Sequence, residues 1–441
     1  MNSKTKPRIP SGFYELLPGD QIAFNKMVDK IRSTYELFGF VPIETPAVEF
    51  TEILLAKGGG ETEKQIYRLN KEGDDLSLHF DLTVPLARYV SEHFKELVFP
   101  FRRYQIQKVW RGERNQKGRF REFYQCDIDV IGTDSILADA EMIATTYRVF
   151  KNLGIDNFTV RTSNRKIFSG FLFFLGLEEK NSDILRIIDK LEKQGAQEIT
   201  QQLSKIGVEG DQVASILNFV EFNGTAQEMF KKLDSLNIDN DLFKRGRTEL
   251  WGLINAVQKF NVPEKYWEID LSIARGLDYY TGTVYETSLN DFPEVGSICS
   301  GGRYDDLTSY YTKEKLSGVG VSIGLTRLFS KLKELKIFEK EKSTVSSVLI
   351  AILDEKYNDN CLSLAMKFRD NNINTEVYLN SGKLDRQIKY ADKLGIPFVV
   401  LVGEDEIRDN KLSLKNMKTG QQVISSTDEA IKIIKDEQQI K

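Results

Sequence analysis

The sequence is poor in histidine and cysteine. Only two histidines, His79 and His93, occur in 441 residues. This argues against a His-based catalytic triad, a multi-histidine metal site or a histidine proton relay. Three cysteines, Cys126, Cys299 and Cys361, lie far apart, so they predict no disulfide framework and no zinc site, and they favour a reducing cytosol. We therefore expect no structural metal, and chemistry that rests on carboxylates, arginine, lysine and backbone groups.

Long apolar runs are also missing. No uninterrupted run approaches the roughly 20 residues that cross a bilayer. Residues 1–10 are charged and lack the apolar segment of a secretory signal, so we expect none. Hydrophobic residues make up 41% and charged residues 29% of the chain, an ordinary balance that excludes wholesale disorder. At roughly 150 residues per domain, the length predicts two to four domains.

An amphipathic helix is predicted from about Gln21 to Phe38. Its apolar residues recur with helical spacing, and they are Phe24, Met27, Val28, Ile31, Tyr35 and Phe38. Gly39 is a plausible C-terminal stop, and an extended segment follows over residues 40–48. The stripe is compatible with core packing or with a partner interface.

Alternating polarity over residues 104–131 predicts two antiparallel strands around a basic loop, 112–118. In the second strand, one face carries Tyr124, Cys126, Ile128 and Val130. The other face carries Phe123, Gln125, Asp127 and Asp129. An aromatic ring, an amide and two carboxylates on one strand face are typical of the floor of a polar ligand pocket.

Basic residues are concentrated between Arg102 and Arg121. Eight of these residues are basic and only Glu113 is acidic, so the segment carries +7 inside a chain of formal charge −4. Such a run is typical of a solvated hairpin. With interleaved aromatic residues it also fits a polyanion site, because arginine binds phosphate and rings stack on bases. The adjoining polar strand face favours the polyanion site.

Four further segments have distinctive patterns. Gly58–Gly60 lacks the ending of a P-loop and predicts a turn. The glycines of 318–324 have the wrong spacing for a dinucleotide fingerprint and predict close strand–helix packing. Residues 274–286 fit either an anion site beside a small planar ring or a tyrosine-rich hairpin with a surface arginine. Residues 300–305 predict a tight turn that aims Arg303.

The amino-acid composition of the chain changes twice more along its length. Residues 164–262 are rich in Lys, Glu, Gln, Leu and Ile and predict a helical insertion into a sheet domain, with a strand following at 267–273. Residues 336–347 predict a linker. Beyond it, alternating strand and helix patterns predict a small α/β domain.

Taken in order, these segments resemble the class II aminoacyl-tRNA synthetases, and among them the histidyl-tRNA synthetase family. The helix leading to Gly39 and Pro46 looks like the first class motif, 110–125 the second and 318–328 the third. Residues 275–280 and 300–305 are similar to the two histidine-specific signatures. The resemblance covers almost the whole chain.

The resemblance implies an α+β fold: an antiparallel-sheet catalytic domain with a helical insertion, plus a C-terminal α/β anticodon-binding domain. The implied domains are a catalytic domain in two parts (1–163 and 263–335), the insertion (164–262), a linker (336–347) and the anticodon-binding domain (348–441). The implied activity is ATP-dependent activation of L-histidine to histidyl-adenylate and transfer to the 3′ end of tRNA-His. A cytoplasmic homodimer that uses ATP accompanied by Mg²⁺ is implied as well.

Residue roles follow where the motifs match. The implied catalytic residues are Arg275 and Arg111. The implied ATP-binding residues are Arg111, Glu113, Arg119, Phe123 and Arg327. The implied histidine-binding residues are Asp81, Thr83, Gln125, Asp129, Arg275, Tyr279 and Tyr280. The implied contacts to the tRNA acceptor stem are Arg114, Gln116 and Lys117.

The chain departs from the family pattern at three positions. Thr326 stands where the third motif usually has Glu, which predicts weaker support for Arg327 and weaker ATP binding. Asp81 and Asp129 are the shorter carboxylates where some members have Glu, and this paired shortening suggests a coherent subtype.

Two rival hypotheses remain at this stage. A non-catalytic relative, the regulatory subunit of ATP phosphoribosyltransferase, is expected to lack both the catalytic arginines and the C-terminal domain. A plain RNA-binding module accounts for the basic hairpin but leaves Asp129, Tyr279 and Tyr280 without a role. The enzyme is favoured because three arginines of the motifs are all present, namely Arg111, Arg275 and Arg327.

Overall fold

The structure is a computed structural model that describes residues 5–56, 61–71, 73–113, 118–273, 280–305, 308–309, 311, 313, 315–336, 342–380 and 383–439. Contacts between Cα atoms divide the chain into two compact units. The first consists of Met1–Tyr14 and Met27–Leu335, and the second consists of Glu15–Lys26 and Lys336–Lys441.

The helices dominate the chain between 165 and 259. In chain order they are α1 (Pro18–Leu37), α2 (Thr51–Leu55), α3 (Glu61–Gln65), α4 (Thr83–Glu92), α5 (Ile136–Asn152), α6 (Arg165–Phe174), α7 (Asn181–Ile188), α8 (Leu191–Lys205), α9 (Gly210–Val220), α10 (Ala226–Ser235), α11 (Asp241–Lys259), α12 (Leu325–Glu334), α13 (Asn358–Asp370), α14 (Leu384–Leu394), α15 (Glu404–Arg408) and α16 (Thr427–Gln439). Short 3₁₀ helices lie at Glu178–Lys180, Glu264–Tyr266, Pro293–Val295 and Glu355–Tyr357.

The strands of the first unit form a large sheet and a small one. In chain order they are β1 (Val41–Pro42), β2 (Val48–Phe50), β3 (Tyr67–Lys71), β4 (Asp74–Leu78), β5 (Phe101–Trp110), β6 (Glu122–Ile131), β7 (Phe158–Asn164), β8 (Trp267–Ile269), β9 (Thr283–Leu289), β10 (Cys299–Tyr304) and β11 (Gly318–Gly324). The large sheet has the order β1-β5-β6-β11-β10-β9-β7-β8, parallel only at its two outer pairs, and the small one is β2-β4-β3. The fold is α+β, as predicted.

Strand β6 lies in the middle of the large sheet, between β5 and β11. The predicted helix at 21–38 is confirmed as α1, and its Ile31 and Tyr35 are buried, in agreement with core packing. The Tyr35 hydroxyl donates a hydrogen bond to the Cys126 carbonyl at 3.1 Å. One face of β6 is thus covered by core residues, which leaves its other face to line a cavity.

Two predictions for this unit are wrong. The strand predicted over 267–273 ends at Ile269, because Asp270 accepts hydrogen bonds from the Ser272 backbone N–H and hydroxyl at 2.9 and 2.6 Å. Such an Asx turn gives the backbone an alternative to the ladder. Residues 300–305 are not a tight turn, since Ser300–Tyr304 belong to β10 and pair with β9 and β11.

The second unit contains a mixed five-stranded sheet with helices packed on both faces. Its strands are β12 (Val348–Ala351), β13 (Thr375–Val377), β14 (Phe398–Leu401), β15 (Leu412–Asn416) and β16 (Gln422–Ser425), in the order β13-β12-β14-β15-β16. Successive residues of β12 enter two separate apolar clusters, Val348 and Ile350 in one and Leu349 in the other. Burial on both faces explains why this strand reads as a continuous apolar run.

Candidate active site

The polar face of β6 is confirmed as the floor of a cavity. Gln125, Asp127 and Asp129 are all buried on that face. The cavity is partly open to solvent, spans about 250 Å³ including that open part, and receives side chains from the start of α4, from β6, β10 and β11, and from the segment before β9. Its lining residues are Thr83, Asp127, Asp129, Tyr280, Ser300, Gly301, Tyr304, Gly320, Val321 and Ser322.

The basic run is not one surface. Arg103, inside the run, is completely buried and pairs with Asp129, with 2.6 Å between Nη2 and Oδ2. Lys108 pairs with Glu122 at 2.8 Å. The interpretation of this run as a solvated hairpin is therefore wrong for Arg103, because its buried charge is paired with a carboxylate that lines the cavity.

Asp129 is fixed through both of its oxygens. While Oδ2 faces Arg103, Oδ1 accepts a hydrogen bond from the Tyr304 hydroxyl at 2.7 Å. Gly320 is the residue opposite Asp129 on β11. A Cβ at Gly320 would overlap Oδ1 of Asp129 and lie 2.5 Å from its Cγ, so only glycine leaves room for this carboxylate.

A second close approach accommodates Tyr280. A Cβ at Gly302 would lie 2.6 Å from Cδ1 of the Tyr280 ring. The Tyr280 side chain is buried and lines the same cavity as Asp129. Hence a phenol and a carboxylate, the two groups predicted to read an imidazole ring, border the same small space.

The two floor carboxylates resist ionisation. Burial raises the pKa of Asp127 to about 7, with Arg103 opposing the shift and Asp129 adding to it. Burial raises the pKa of Asp129 to about 6, again opposed by Arg103. A cationic ligand group that enters the cavity would therefore be attracted by carboxylates whose charge is poorly compensated.

We expect Asp127→Asn to stabilise the unliganded protein at pH 8 but not near pH 4. Since the folded pKa of Asp127 is raised, its contribution to stability is present below about pH 4 and is lost as the pH rises through about 7. Asparagine stays neutral and escapes this loss, which amounts to about 2 to 4 kcal/mol at pH 8. Denaturant unfolding at both pH values measures the effect, and equal stability of variant and wild type at pH 8 would contradict it.

Asp81 lies at the entry to α4. Its Oδ1 accepts a hydrogen bond from the Val84 N–H at 3.1 Å, which caps the first turn of the helix. Burial raises its pKa, while the Val84 N–H and the charge of Arg111 act in the opposite direction. Thr83, two residues after Asp81, lines the cavity beside the β6 floor. These two predicted ligands are thus presented by a helix terminus.

Arg111 joins the α4 side of the site to the floor. Its Nε donates to the Phe80 carbonyl at 2.9 Å, and its Nη2 lies 3.4 Å from Oε1 of Gln125. Its guanidinium carbon is 5.1 Å from the centroid of the Phe123 ring. The side chain is therefore held in place before any ligand arrives, as electrostatic preorganisation requires.

Arg119 and Arg327 form a second cationic region. Arg119 Nη1 lies 2.9 Å from Glu113 Oε2, and Arg327 donates to the carbonyls of Ser297 and Val295. Burial lowers the pKa of Arg327, and the charge of Arg119 lowers it further. Two guanidinium groups whose positive charges repel each other are suited to an anion with more than one charge.

Thr326 makes two hydrogen bonds that the sequence did not indicate. Its buried hydroxyl accepts a hydrogen bond from the Tyr124 N–H at 2.8 Å and pairs with the Tyr14 hydroxyl at 3.0 Å. Arg327, meanwhile, is held by the two backbone carbonyls just described. Thr326 therefore ties the segment before α1 to the start of the floor strand.

We expect Thr326→Val to lower the free energy of unfolding by about 1–3 kcal/mol, because a buried backbone donor loses its acceptor. Tyr14→Phe removes only the other hydrogen bond and should cost about 0.5–1.5 kcal/mol. Denaturant titration of both variants measures these values. A Thr326→Val variant as stable as the wild type would show that the tie is energetically unimportant.

Several predicted site residues lie outside the described residues. They are Arg275, Tyr279, Arg114, Gln116 and Lys117. Conversely, sequence reasoning did not single out Arg103 and Tyr304 as site residues. The sequence did contain a signal for Arg103, because it shares a strand face with Gln105 and Gln107. Polar side chains on a buried strand face need polar partners, so this face could have been predicted to border a polar site.

Metal-binding clusters and membrane-spanning helices are both absent from the described part of the chain. It contains no cluster of His, Cys, Asp or Glu side chains arranged to hold a metal ion. None of its helices has both the length and the apolar character needed to cross a membrane.

Comparisons with known proteins identify the family of this chain. The family profile described as "Histidyl-tRNA synthetase" matches residues 12–328, and the profile "Anticodon binding domain" matches 347–437. The histidine–tRNA ligase of Clostridium tetani is 56% identical over 433 residues, which is 98% of each chain.

Solved structures give the same result. The crystal structure of histidyl-tRNA synthetase from Nostoc sp. PCC 7120 has a TM-score of 0.90 at 40% identity, covering 98% of this chain and 100% of that one. A Bacillus halodurans structure titled "ATP phosphoribosyltransferase regulatory subunit/histidyl-tRNA synthetase" has a TM-score of 0.75 at 21% identity, covering 88% of this chain and 97% of that one. The latter likeness extends to the fold alone. The chain belongs to the histidyl-tRNA synthetase family.

Proposed function

We propose that this chain is a histidine–tRNA ligase, which activates L-histidine with ATP and transfers it to the 3′ end of tRNA-His. The observation that carries the proposal is the cavity floor, where Asp129 and Tyr280 border one small space next to Gln125 and Arg111. Family membership over almost the full chain supports the same activity.

Histidine recognition would divide between the two ends of the substrate. An imidazole ring carries one donor and one acceptor, so a carboxylate and a phenol can read both nitrogens, and we assign this to Asp129 and Tyr280. The α-ammonium group would bind Asp81, Thr83 and Gln125. We assign closure of the pocket to Tyr279, on the resemblance alone.

Activation would proceed by attack of the histidine carboxylate on the α-phosphorus of ATP. A new carboxylate–phosphorus bond forms, the bond to the β-phosphate breaks, and pyrophosphate leaves. Because negative charge collects on the phosphoryl oxygens, Arg111 and Arg275 would stabilise the transition state electrostatically. No protein general base is needed, which agrees with the scarcity of histidine.

The remainder of ATP would occupy the region beside Arg111. We assign adenine stacking to Phe123, recognition of the adenine amino group to Glu113, and the outer phosphates to Arg119 and Arg327. The repulsion between the charges of those two arginines supports the last assignment. ATP would enter with Mg²⁺, the usual companion of its phosphates.

Transfer to tRNA would use other parts of the chain. The 3′-hydroxyl of the terminal adenosine attacks the histidyl carbonyl, and AMP leaves. We assign contacts with the acceptor stem to Arg114, Gln116 and Lys117, and anticodon binding to residues 348–441.

The regulatory-subunit alternative is not favoured. Such a relative would be expected to lack the catalytic arginines and the C-terminal domain. This chain has Arg111 and Arg327 in the site and residues that match an anticodon-binding profile at 347–437.

We further propose a cytoplasmic homodimer. The three cysteines are buried and form no disulfide, which fits a reducing compartment. Large apolar side chains near the first motif are exposed, and we propose that a second copy covers them. They are Leu37, Val41, Val48 and Phe50.

Charging of tRNA tests the proposal. Purified full-length protein, ATP, Mg²⁺ and radiolabelled histidine should charge tRNA-His, while a tRNA for another amino acid serves as the matched control. Charging confined to tRNA-His is expected. Failure of the folded protein to charge any tRNA would contradict the ligase assignment.

A further inference from the structure

We propose, on the basis of the proposed function, that Arg103 is a positioning residue for histidine recognition, which orients the Asp129 carboxylate in the cavity. Arg103 stands within a run of basic residues that otherwise suggests contacts with nucleic acid or phosphate. Its side chain has no access to such ligands, since the residue is 0% exposed.

Backbone geometry places the two residues side by side. Arg103 on β5 and Asp129 on β6 are direct partners in the antiparallel register. Their side chains lie on the same sheet face, and Arg103 Nη2 is 2.6 Å from Asp129 Oδ2. Cross-strand partners of opposite charge restrict each other's rotamers, and here both side chains are removed from solvent screening.

A second contact to the Asp129 carboxylate comes from β10, the strand beyond β11. Tyr304 on β10 donates its hydroxyl to Oδ1 at 2.7 Å, and two glycines of β11 make room for this contact, Gly318 for the Tyr304 ring and Gly320 for the carboxylate. Each carboxylate oxygen can accept two hydrogen bonds, so acceptor capacity remains for a ligand N–H. The contacts with Arg103 and Tyr304 thus fix the orientation of the carboxylate and leave it able to accept a hydrogen bond from a ligand.

Charge gives a second argument. Arg103 opposes the pKa increase that burial causes at Asp81, Asp127 and Asp129. One buried guanidinium therefore faces three buried carboxylates that surround the proposed histidine site.

The buried Arg103–Asp129 pair also lowers the stability of the fold. Nε of Arg103 is buried without a hydrogen-bond partner within the described ranges. A buried ion pair with an unmet donor is weak support for stability. Its presence beside the cavity is explained if the pair serves recognition.

The experiment is a double-mutant cycle on the full-length protein. Arg103→Met, Asp129→Asn and the double variant are compared with wild type by histidine-dependent ATP–pyrophosphate exchange, with KM measured separately for histidine and for ATP. The matched control is Arg102→Met, the preceding residue on the same strand, whose side chain pairs with Glu141.

We expect Arg103→Met to raise the KM for histidine about 10-fold or more, as loss of a buried charge partner implies, while the KM for ATP changes less than about 2-fold. In the Asp129→Asn background, the same change should raise the KM for histidine by less than about 2-fold, because Arg103 acts through Asp129. Arg102→Met should leave both KM values as in wild type.

Three outcomes would overturn the inference: an unchanged KM for histidine, an equal increase in both KM values, or effects that multiply in the double variant. If Arg103→Met is insoluble, Arg103→Lys carries the same test, with a KM for histidine raised about 3-fold or more, because lysine lacks the planar fork. An unchanged value in that variant would overturn the inference. Wild-type protein that shows no exchange would refute the proposed function itself, which is a distinct result.

Discussion

Arg111→Ala is expected to reduce histidine-dependent ATP–pyrophosphate exchange by at least about 100-fold, since loss of one preorganised donor typically costs about 10²–10³ in rate. Arg111 is positioned by the Phe80 carbonyl and by Gln125, so its guanidinium needs no reorganisation when ATP binds. The loss should be in kcat at saturating histidine and ATP, because the developing charge exists only in the transition state.

The same assay distinguishes this role from a general effect of positive charge. Arg102→Ala removes an arginine from the same hairpin, one that pairs with Glu141 at 2.6 Å, and should keep most of the activity. Arg111→Lys keeps the charge but not the bidentate fork and should fall between the two. If both alanine variants lost activity equally, the assignment of Arg111 to the α-phosphate would be wrong.

Gly320→Ala is expected to lower kcat/KM for histidine by at least about 100-fold, the cost that a displacement of about 1 Å can cause. The new Cβ would overlap Asp129 Oδ1 and lie 2.7 Å from the Ile128 carbonyl oxygen, and neither neighbour can yield easily. The carboxylate must leave Arg103 and Tyr304, so the imidazole loses its oriented acceptor. Exchange kinetics at varied histidine concentration measure the loss.

Gly324→Ala is the matched control on the same strand. The nearest atom to its added Cβ, the Ile298 carbonyl oxygen, is 3.8 Å away, which is ordinary van der Waals contact. This variant should keep wild-type kinetics, and far-UV circular dichroism should show both variants folded. Wild-type histidine kinetics in Gly320→Ala would contradict the proposed role of Asp129.

The sequence allowed the elements with strong periodicity to be predicted. Alternation placed Gln125, Asp127 and Asp129 on one face of β6, because a strand has a period of two residues. Apolar spacing likewise located α1, while the composition indicated the helices between 165 and 259. These patterns are local, so they can be read without knowing the tertiary neighbours.

Features that depend on distant neighbours could not be predicted in the same way. Arg103 in isolation is one more basic residue, and only the pairing of β5 with β6 places it opposite Asp129. Residues 300–305, rich in glycine, predicted a turn, yet these glycines belong to β10, where Gly302 gives space to Tyr280. Small residues indicate a close approach, but only the tertiary fold shows what approaches.

The meaning of the basic run changes accordingly. Its +7 suggested one polyanion surface, whereas Arg103 faces a carboxylate, Arg111 reaches the cavity, and Arg119 lies near Arg327. The basic segment 102–121 thus contributes arginines both to the proposed histidine pocket and to the proposed phosphate site.

The most direct measurement of the central claim is amino-acid-dependent exchange of labelled pyrophosphate into ATP by the purified full-length protein. The account predicts exchange with L-histidine and none above background without an amino acid or with leucine, whose side chain has neither a donor nor an acceptor for Asp129 and Tyr280. Exchange that is absent from the folded protein, or equal for both amino acids, would contradict it.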